Sequence, residues 1–214
     1  MNLRNDLQLI YDRIPEGSRV LDLGCGDGEL LAALVEHKKC SGYGIEIDTN
    51  SVIAAMSRGV NVIQADLEEG LTAFNDQSFD VIVLSQTIQA MQNTEKILRC
   101  LMRVAKQAIV SFPNFGYWRN RVQIALGGHM PVSERMHYHW YDTPNIHWCT
   151  LKDFDLLCAK NNIRVLERAG QQTGQTFPQP VGQPGVLPRR VRQVENLVGN
   201  NRFFGSINNR PSEK

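Results

Sequence analysis

"VLDLGCGDGELL" (residues 20–31) passes from an apolar strand pattern through a glycine-rich turn into the apolar spacing of a helix. Such a junction predicts a strand–loop–helix unit whose loop lets a ligand come close to the backbone. The same stretch holds three carboxylates, Asp22, Asp27 and Glu29. Whatever the loop binds must use the glycines and tolerate that charge.

Outward from this junction, strand and helix patterns alternate. Before it, Leu3, Leu7, Ile10, Tyr11 and Ile14 recur at helical spacing, and Pro15 and Gly17 end the pattern. Arg19–Leu23 is the first strand, followed by a helix over 28–37. A second strand spans 41–47, and Asp48 is placed to cap a helix over 49–58. Residues 61–64 form a short third strand. "FDVIVLS" (Phe79–Ser85) is a nearly continuous apolar run, the pattern of a strand buried on both faces. A helix over Thr94–Val104 and a fifth strand over 107–112 come next. Thr150-x-x-Asp153 resembles a capping box opening a helix over 151–161, and 163–169 is a sixth strand.

This alternation predicts an α/β fold with a doubly wound, mostly parallel sheet over residues 1–170. From 171 to 214 the chain turns polar and rich in Gln, Pro and Gly, which reads as loop or tail. "FFGSI" (203–207) is its only late apolar run and marks the place for a further strand.

The 214 residues are 42% hydrophobic and 21% charged with net charge +1, so no strong field is directed at nucleic acid or an anionic membrane. A basic run, "PRRVR" (188–192), lies in the polar tail and reads as a solvated segment. No apolar run approaches the roughly eighteen residues of a membrane span. The opening residues carry acids and no apolar core, so no signal peptide is expected. The five cysteines are odd in number, scattered and without a CxxC, which fits a reduced, cytoplasmic protein.

Ligands of a doubly wound sheet sit beyond the carboxyl ends of the strands, where the strand order reverses. One candidate is a dinucleotide, whose fingerprint is G-x-G-x-x-G. Gly24 and Gly26 fit it, but Glu29 takes the place of the third glycine and Gly28 comes one residue early. A pyrophosphate would meet Asp22, Asp27 and Glu29, and like charges about 4 Å apart cost on the order of 1–4 kcal/mol in partly wet surroundings. S-adenosylmethionine reverses that objection, because it has no phosphate and carries a sulfonium and an ammonium. Glu46 is placed for the ribose hydroxyls under either reading. Asp66, in "QADL", is placed for an adenine amino group, and Ser85 for the methionine end. Asp27 and Glu29 read as solvated acids of a helix N-terminus.

The succession "VLDLGCGDG", "GIEID", "QADL", "FDVIVLS" resembles the class I S-adenosylmethionine-dependent methyltransferases, whose fold is Rossmann-like. That resemblance implies S-adenosyl-L-methionine or S-adenosyl-L-homocysteine held by Asp22, Gly24, Cys25, Gly26, Glu46, Ile47, Asp66, Leu67, Ser85 and Gln86.

Between the fifth strand and the last helix, residues 111–150 hold eight of the sixteen aromatics, all three tryptophans and four of the five histidines. A connection this long is usually functional. It is expected to fold over the cleft as an insertion at 112–150, either lining a substrate pocket or forming an aromatic protein interface. His137-x-His139 and His147-x-Cys149 match no standard zinc spacing, so no metal is expected, and His147 and Trp148 read as packing at the helix entrance. Arg119 and Arg121 are open to two readings, carboxylate binding or plain solvation.

"LSQTIQAM", "IVSFPNFGYWRNRVQ", "GGHMPVSE" and "WYDTPNIHWCTLKDFDLLC" resemble the methionine biosynthesis protein family MetW. The resemblance implies a methyltransferase fold acting beside a homoserine O-acyltransferase in methionine synthesis. Two functions then stand side by side. One is an activating or regulatory partner of that acyltransferase, and the other is a methyltransferase acting on a small molecule. A histidine after the fourth strand, common in small-molecule methyltransferases of this fold, is replaced by "SQTIQAM", and no "NPPY" occurs. His129, His137, His139 and Asp142 are the candidate bases, none of them singled out by spacing. An NAD-dependent oxidoreductase is the third and weakest reading.

Overall fold

The computed structural model describes residues 3–132, 138–172, 175–179 and 202–209. Its elements are α1 (Asn5–Arg13), β1 (Arg19–Leu23), α2 (Glu29–Lys38), β2 (Ser41–Glu46), α3 (Thr49–Ser57), β3 (Val62–Gln64), α4 (Leu67–Gly70), β4 (Phe79–Ser85), α5 (Thr94–Val104), β5 (Ala105–Pro113), α6 (Trp118–Gly127), α7 (Leu151–Lys160), β6 (Ile163–Gln172), β7 (Gln175–Gln179) and β8 (Arg202–Asn209). The strands form one sheet in the order β3-β2-β1-β4-β5-β8-β6-β7. β3, β2, β1, β4 and β5 run parallel, and β8 enters antiparallel between β5 and β6. The chain goes to one side of β1 for β2 and β3, then crosses to the other side for β4. The strand order therefore reverses at β1, where the glycine turn leaves the sheet.

Alternate residues along each strand face opposite cores. On one face α1, α2 and α3 bring Leu7, Ile10, Leu30, Leu34 and Ala55 against Val20, Val83 and Ile109. On the other, α5 and α7 bring Ile97, Leu101, Phe154 and Cys158 against Leu21, Ile82, Val110 and Ile207. β4 is buried along nearly its whole length, as its unbroken apolar run requires. Local signals place the helix starts. Asp48 caps α3 by accepting from the Ser51 N–H at 2.8 Å. Thr150 and Asp153 complete a capping box at α7.

The polar composition after residue 170 predicts loop, and the described stretches 171–172 and 175–179 are strand instead, while β8 forms at the place marked for a further strand, 203–207. β8 lies between two partners, so backbone hydrogen bonds on both sides hold it where side-chain hydrophobicity is sparse. Its Ile207 is fully buried, and the Gln107 amide donates to the buried Ser206 hydroxyl. "PRRVR" lies outside the described residues. The long aromatic segment, read as an insertion at 112–150, contains a regular helix, α6.

Ile207→Ala leaves a cavity in the core under α5 and α7. A loss of about 2–5 kcal/mol is expected in a denaturant titration, as for other buried large-to-small changes. A loss below about 1 kcal/mol would show that β8 is not part of this core.

Candidate ligand site at the carboxyl ends of the parallel strands

Gly24 leaves β1 at φ +74°, and a Cβ there would stand 2.9 Å from the Thr87 hydroxyl. Only glycine combines that left-handed turn with so close an approach to the loop after β4. The N–H groups of Gly24 and Cys25 both donate to the Ile45 carbonyl, at 2.8 and 3.2 Å, which ties the turn to β2.

Glu46, the last residue of β2, fixes the other side of the turn. One carboxylate oxygen accepts from the Gly26 N–H at 3.0 Å. The other accepts from the N–H groups of Ile47 and Asp48, at 2.8 and 3.0 Å. Three charge-assisted backbone bonds thus converge on one side chain. A carboxylate has about four acceptor positions, so room for another donor remains.

Asp22 lies behind this loop, 4% exposed, in register between Gly44 of β2 and Val83 of β4. Burial, reinforced by the negative charge of Glu46, pushes its carboxyl up to about 7. The same surroundings raise the Cys25 thiol to about 12, by burial first and then by Asp22 and Glu46, so it stays protonated and is no nucleophile. Asp27 points away and pairs with Arg58 at 2.7 Å, so its charge is locally compensated.

The third and fourth strands complete the floor. Asp66 caps α4 by accepting from the Glu68 N–H at 2.8 Å, and Leu67 beside it is buried. Ser85 and Gln86 meet on Ser111 of β5, which is fully buried. The Ser85 and Ser111 hydroxyls are 3.2 Å apart, and Gln86 donates its N–H to the Ser111 carbonyl at 3.0 Å and its amide to the Ser111 hydroxyl at 3.1 Å. Gln86 is itself left-handed, at φ +57°, an uncommon conformation held by these bonds.

A cavity of about 810 Å³ opens over these strand ends. Of the residues expected at the site, Gly24, Glu46, Ile47, Asp66, Leu67, Ser85 and Gln86 line it, and Asp22, Cys25 and Gly26 do not. Residues not anticipated from the sequence also line it. They include Thr87, Met91 and Gln92 after β4, Lys96 of α5, Glu68, and Ile146 of the aromatic segment. "TIQAM" directly after a strand end was the available signal for the first group. Ile146 carried no local signal. It reaches the cavity because the N–H groups of Ile146 and His147 both donate to the Gln89 carbonyl, each at 2.9 Å.

Among the candidate bases, His129, His139 and Asp142 do not line the cavity, and His137 lies outside the described residues. His139 stacks on Tyr141, and His147 meets the Gln92 carbonyl at 3.4 Å. Trp148 packs on Phe115 near the entrance to α7. Burial, with Asp153 nearby, lifts the Cys149 thiol to about 12, so it stays protonated at neutral pH. The cavity wall is thus mainly acidic, with Glu46, Asp66, Glu68 and Glu69 set against Lys96. Such a wall repels phosphates and attracts a cation.

The raised Asp22 carboxyl carries a stability consequence. Between its ordinary value of 3.8 and about 7, the folded chain holds a proton that the unfolded chain releases. Stability from this group therefore falls as pH rises through that window. Asp22→Asn removes the titration, so the variant gains on the wild type from pH 4 to 8, by a few kcal/mol at most at about 1.4 kcal/mol per unit. Parallel pH profiles of the denaturation midpoint for the two proteins would contradict this placement of Asp22.

Solved structures share this architecture. A SAM-dependent methyltransferase from Thermotoga maritima superposes with TM-score 0.65 at 16% identity, covering 96% of this chain and 87% of that one. One from Archaeoglobus fulgidus gives 0.60 at 16%, covering 94% and 93%. The fold is thus the Rossmann-like α/β fold of class I methyltransferases. In sequence, the chain is 36% identical over 176 residues to the bifunctional methionine biosynthesis protein MetXA/MetW of Rhodopirellula baltica, spanning 78% of this chain and 28% of that one. It is 34% identical over 100 residues to the ubiquinone/menaquinone biosynthesis C-methyltransferase UbiE of Vibrio campbellii, spanning 42% and 38%. The chain covers well under half the length of these curated relatives. The sequence profile of the family described as methionine biosynthesis protein MetW matches residues 4–199. On the strength of that match, the chain belongs to the MetW family.

Proposed function

We propose that the cleft binds S-adenosyl-L-methionine or its product S-adenosyl-L-homocysteine, and that the chain serves methionine synthesis as an activating or regulatory partner of a homoserine O-acyltransferase. The observation that carries the ligand is the acidic pair Asp22 and Glu46 beneath a close-packed glycine turn. The cavity volume lies within the roughly 300–1,000 Å³ range of small-molecule sites. Glu46 would take the ribose hydroxyls with its remaining acceptor capacity, and Asp66 the adenine amino group. Ile47 and Leu67 offer apolar surface to the ring. The Ser85–Gln86 turn would face the cationic methionine end, with the buried Asp22 carboxyl acting on it from beneath the glycine turn. When bound, the group brings an activated methyl and a fixed positive charge.

The partner reading is supported by the name of the Rhodopirellula protein, which joins MetXA and MetW in one polypeptide. S-adenosylmethionine is the downstream product of methionine synthesis, so its binding is a natural signal to an early enzyme of the route. For it to act as one, the ligand must bind the free and the complexed protein with different affinity. The likeness to a C-methyltransferase over 100 residues favours the second reading, methyl transfer to a small molecule. Labelled methyl appearing in a metabolite on incubation with cell extract would establish it.

Calorimetric titration tests the ligand. Glu46→Ala is expected to lower S-adenosylmethionine affinity about tenfold or more, equivalent to about 1.4 kcal/mol. NAD is expected to give no binding heat. Unchanged affinity in the variant, or NAD binding in place of S-adenosylmethionine, would mean that the turn has been misread. A cationic ligand favours ionised Asp22, so wild-type affinity should rise with pH through about 7. Asp22→Asn should flatten that rise. Purified homoserine O-acyltransferase should turn over faster when the chain is added; an unchanged rate removes the partner role.

A further inference from the structure

α6 is turned outward against the usual rule. A surface helix normally directs its apolar stripe at the core. Of the residues of α6, only Asn120 is buried. Asn120 donates to the carbonyls of Asn114 and Phe115, and so anchors the first turn. On the opposite side Trp118, Val122 and Leu126, spaced four apart, form one stripe. They are 37%, 45% and 86% exposed. Arg119 and Arg121 flank the stripe on either side, and neither forms an ion pair among the described residues. Residues 113–132 contain no Asp or Glu. Further along the segment, Trp140 and Tyr141 are 72% and 69% exposed.

This is costly in water and suited to an interface, where tryptophan and arginine anchors carry much of the binding energy. A second copy of the chain is a poor occupant, because pairing two such stripes sets arginine against arginine with no acid to answer. The complement is an apolar groove rimmed by carboxylates.

Resting on the partner reading above, we infer that the α6 stripe Trp118–Val122–Leu126, with Arg119 and Arg121 at its edges, is the surface that docks on the homoserine O-acyltransferase. In the Rhodopirellula protein the match occupies 28% of the polypeptide, so most of that chain, named MetXA/MetW, lies outside the match and permanently tethered to it. Proximity of that kind gives two parts a high effective concentration, and an exposed apolar stripe edged by arginines is suited to such a contact.

The test uses the full chain and the purified acyltransferase, with affinity measured by biolayer interferometry. Wild type is expected to bind. Leu126→Asp and the pair Arg119→Glu with Arg121→Glu should each weaken binding tenfold or more. Their thermal midpoints and S-adenosylmethionine affinity should stay unchanged, since these side chains touch neither core nor cleft. If wild type and variants bind the acyltransferase equally, the surface is wrong and the partnership stands. If wild type itself does not bind, the partnership falls and the surface with it. If the chain alone sediments as a dimer that Leu126→Asp dissociates, the stripe belongs to a second copy and the inference is overturned.

Discussion

Three backbone N–H groups converging on the Glu46 carboxylate hold the site together. Those bonds join the turn after β1 to the start of the loop after β2, beside the point where the strand order reverses. The glycine turn, the α2 N-terminus and the Asp48 cap of α3 all take their positions from it. Because the same carboxylate keeps acceptor capacity toward the cavity, the proposed ligand contact and the loop shape would be coupled at one residue. Losing Glu46 would free the turn and, on the proposed reading, cost the ligand a partner.

Charge decides what such a turn can hold. Glycine turns of this kind commonly cradle phosphates with N–H groups at a helix N-terminus. Here Glu46 already consumes the Gly26 N–H, and Asp22 sits beneath the loop with its carboxyl raised by burial and by Glu46. Burying Asp22 costs stability in the free chain, and a cation in the cleft offsets that cost by favouring its ionised form. The free protein is therefore poised electrostatically for a positive ligand and against pyrophosphate.

Much of this was legible in the residues. Strand runs such as Phe79–Ser85, the cap at Asp48 and the capping box at Thr150 are local signals, and the structure places them accordingly. The short apolar run at 203–207 marked a strand, but its place inside the sheet, paired on both sides between β5 and β6, was not legible, because strand order is set by long-range backbone pairing. α6 was hidden for a different reason. Its apolar stripe carries the spacing of a core-facing helix yet faces outward, so the local pattern gives no sign of which side it presents to solvent. Ile146 reaches the cavity through its N–H on Gln89, a contact between residues far apart in sequence that no motif announces. That bond also makes the aromatic segment, which bears α6, continuous with the wall of the cleft.

The proposed partner role requires the cleft and the docking surface to be coupled, and S-adenosylmethionine calorimetry with and without saturating homoserine O-acyltransferase tests that coupling most directly. Two distinct affinities are predicted, since a ligand regulates a partner only through differential binding to the free and complexed states. Identical affinities in the two titrations, or no binding heat in either, would contradict it.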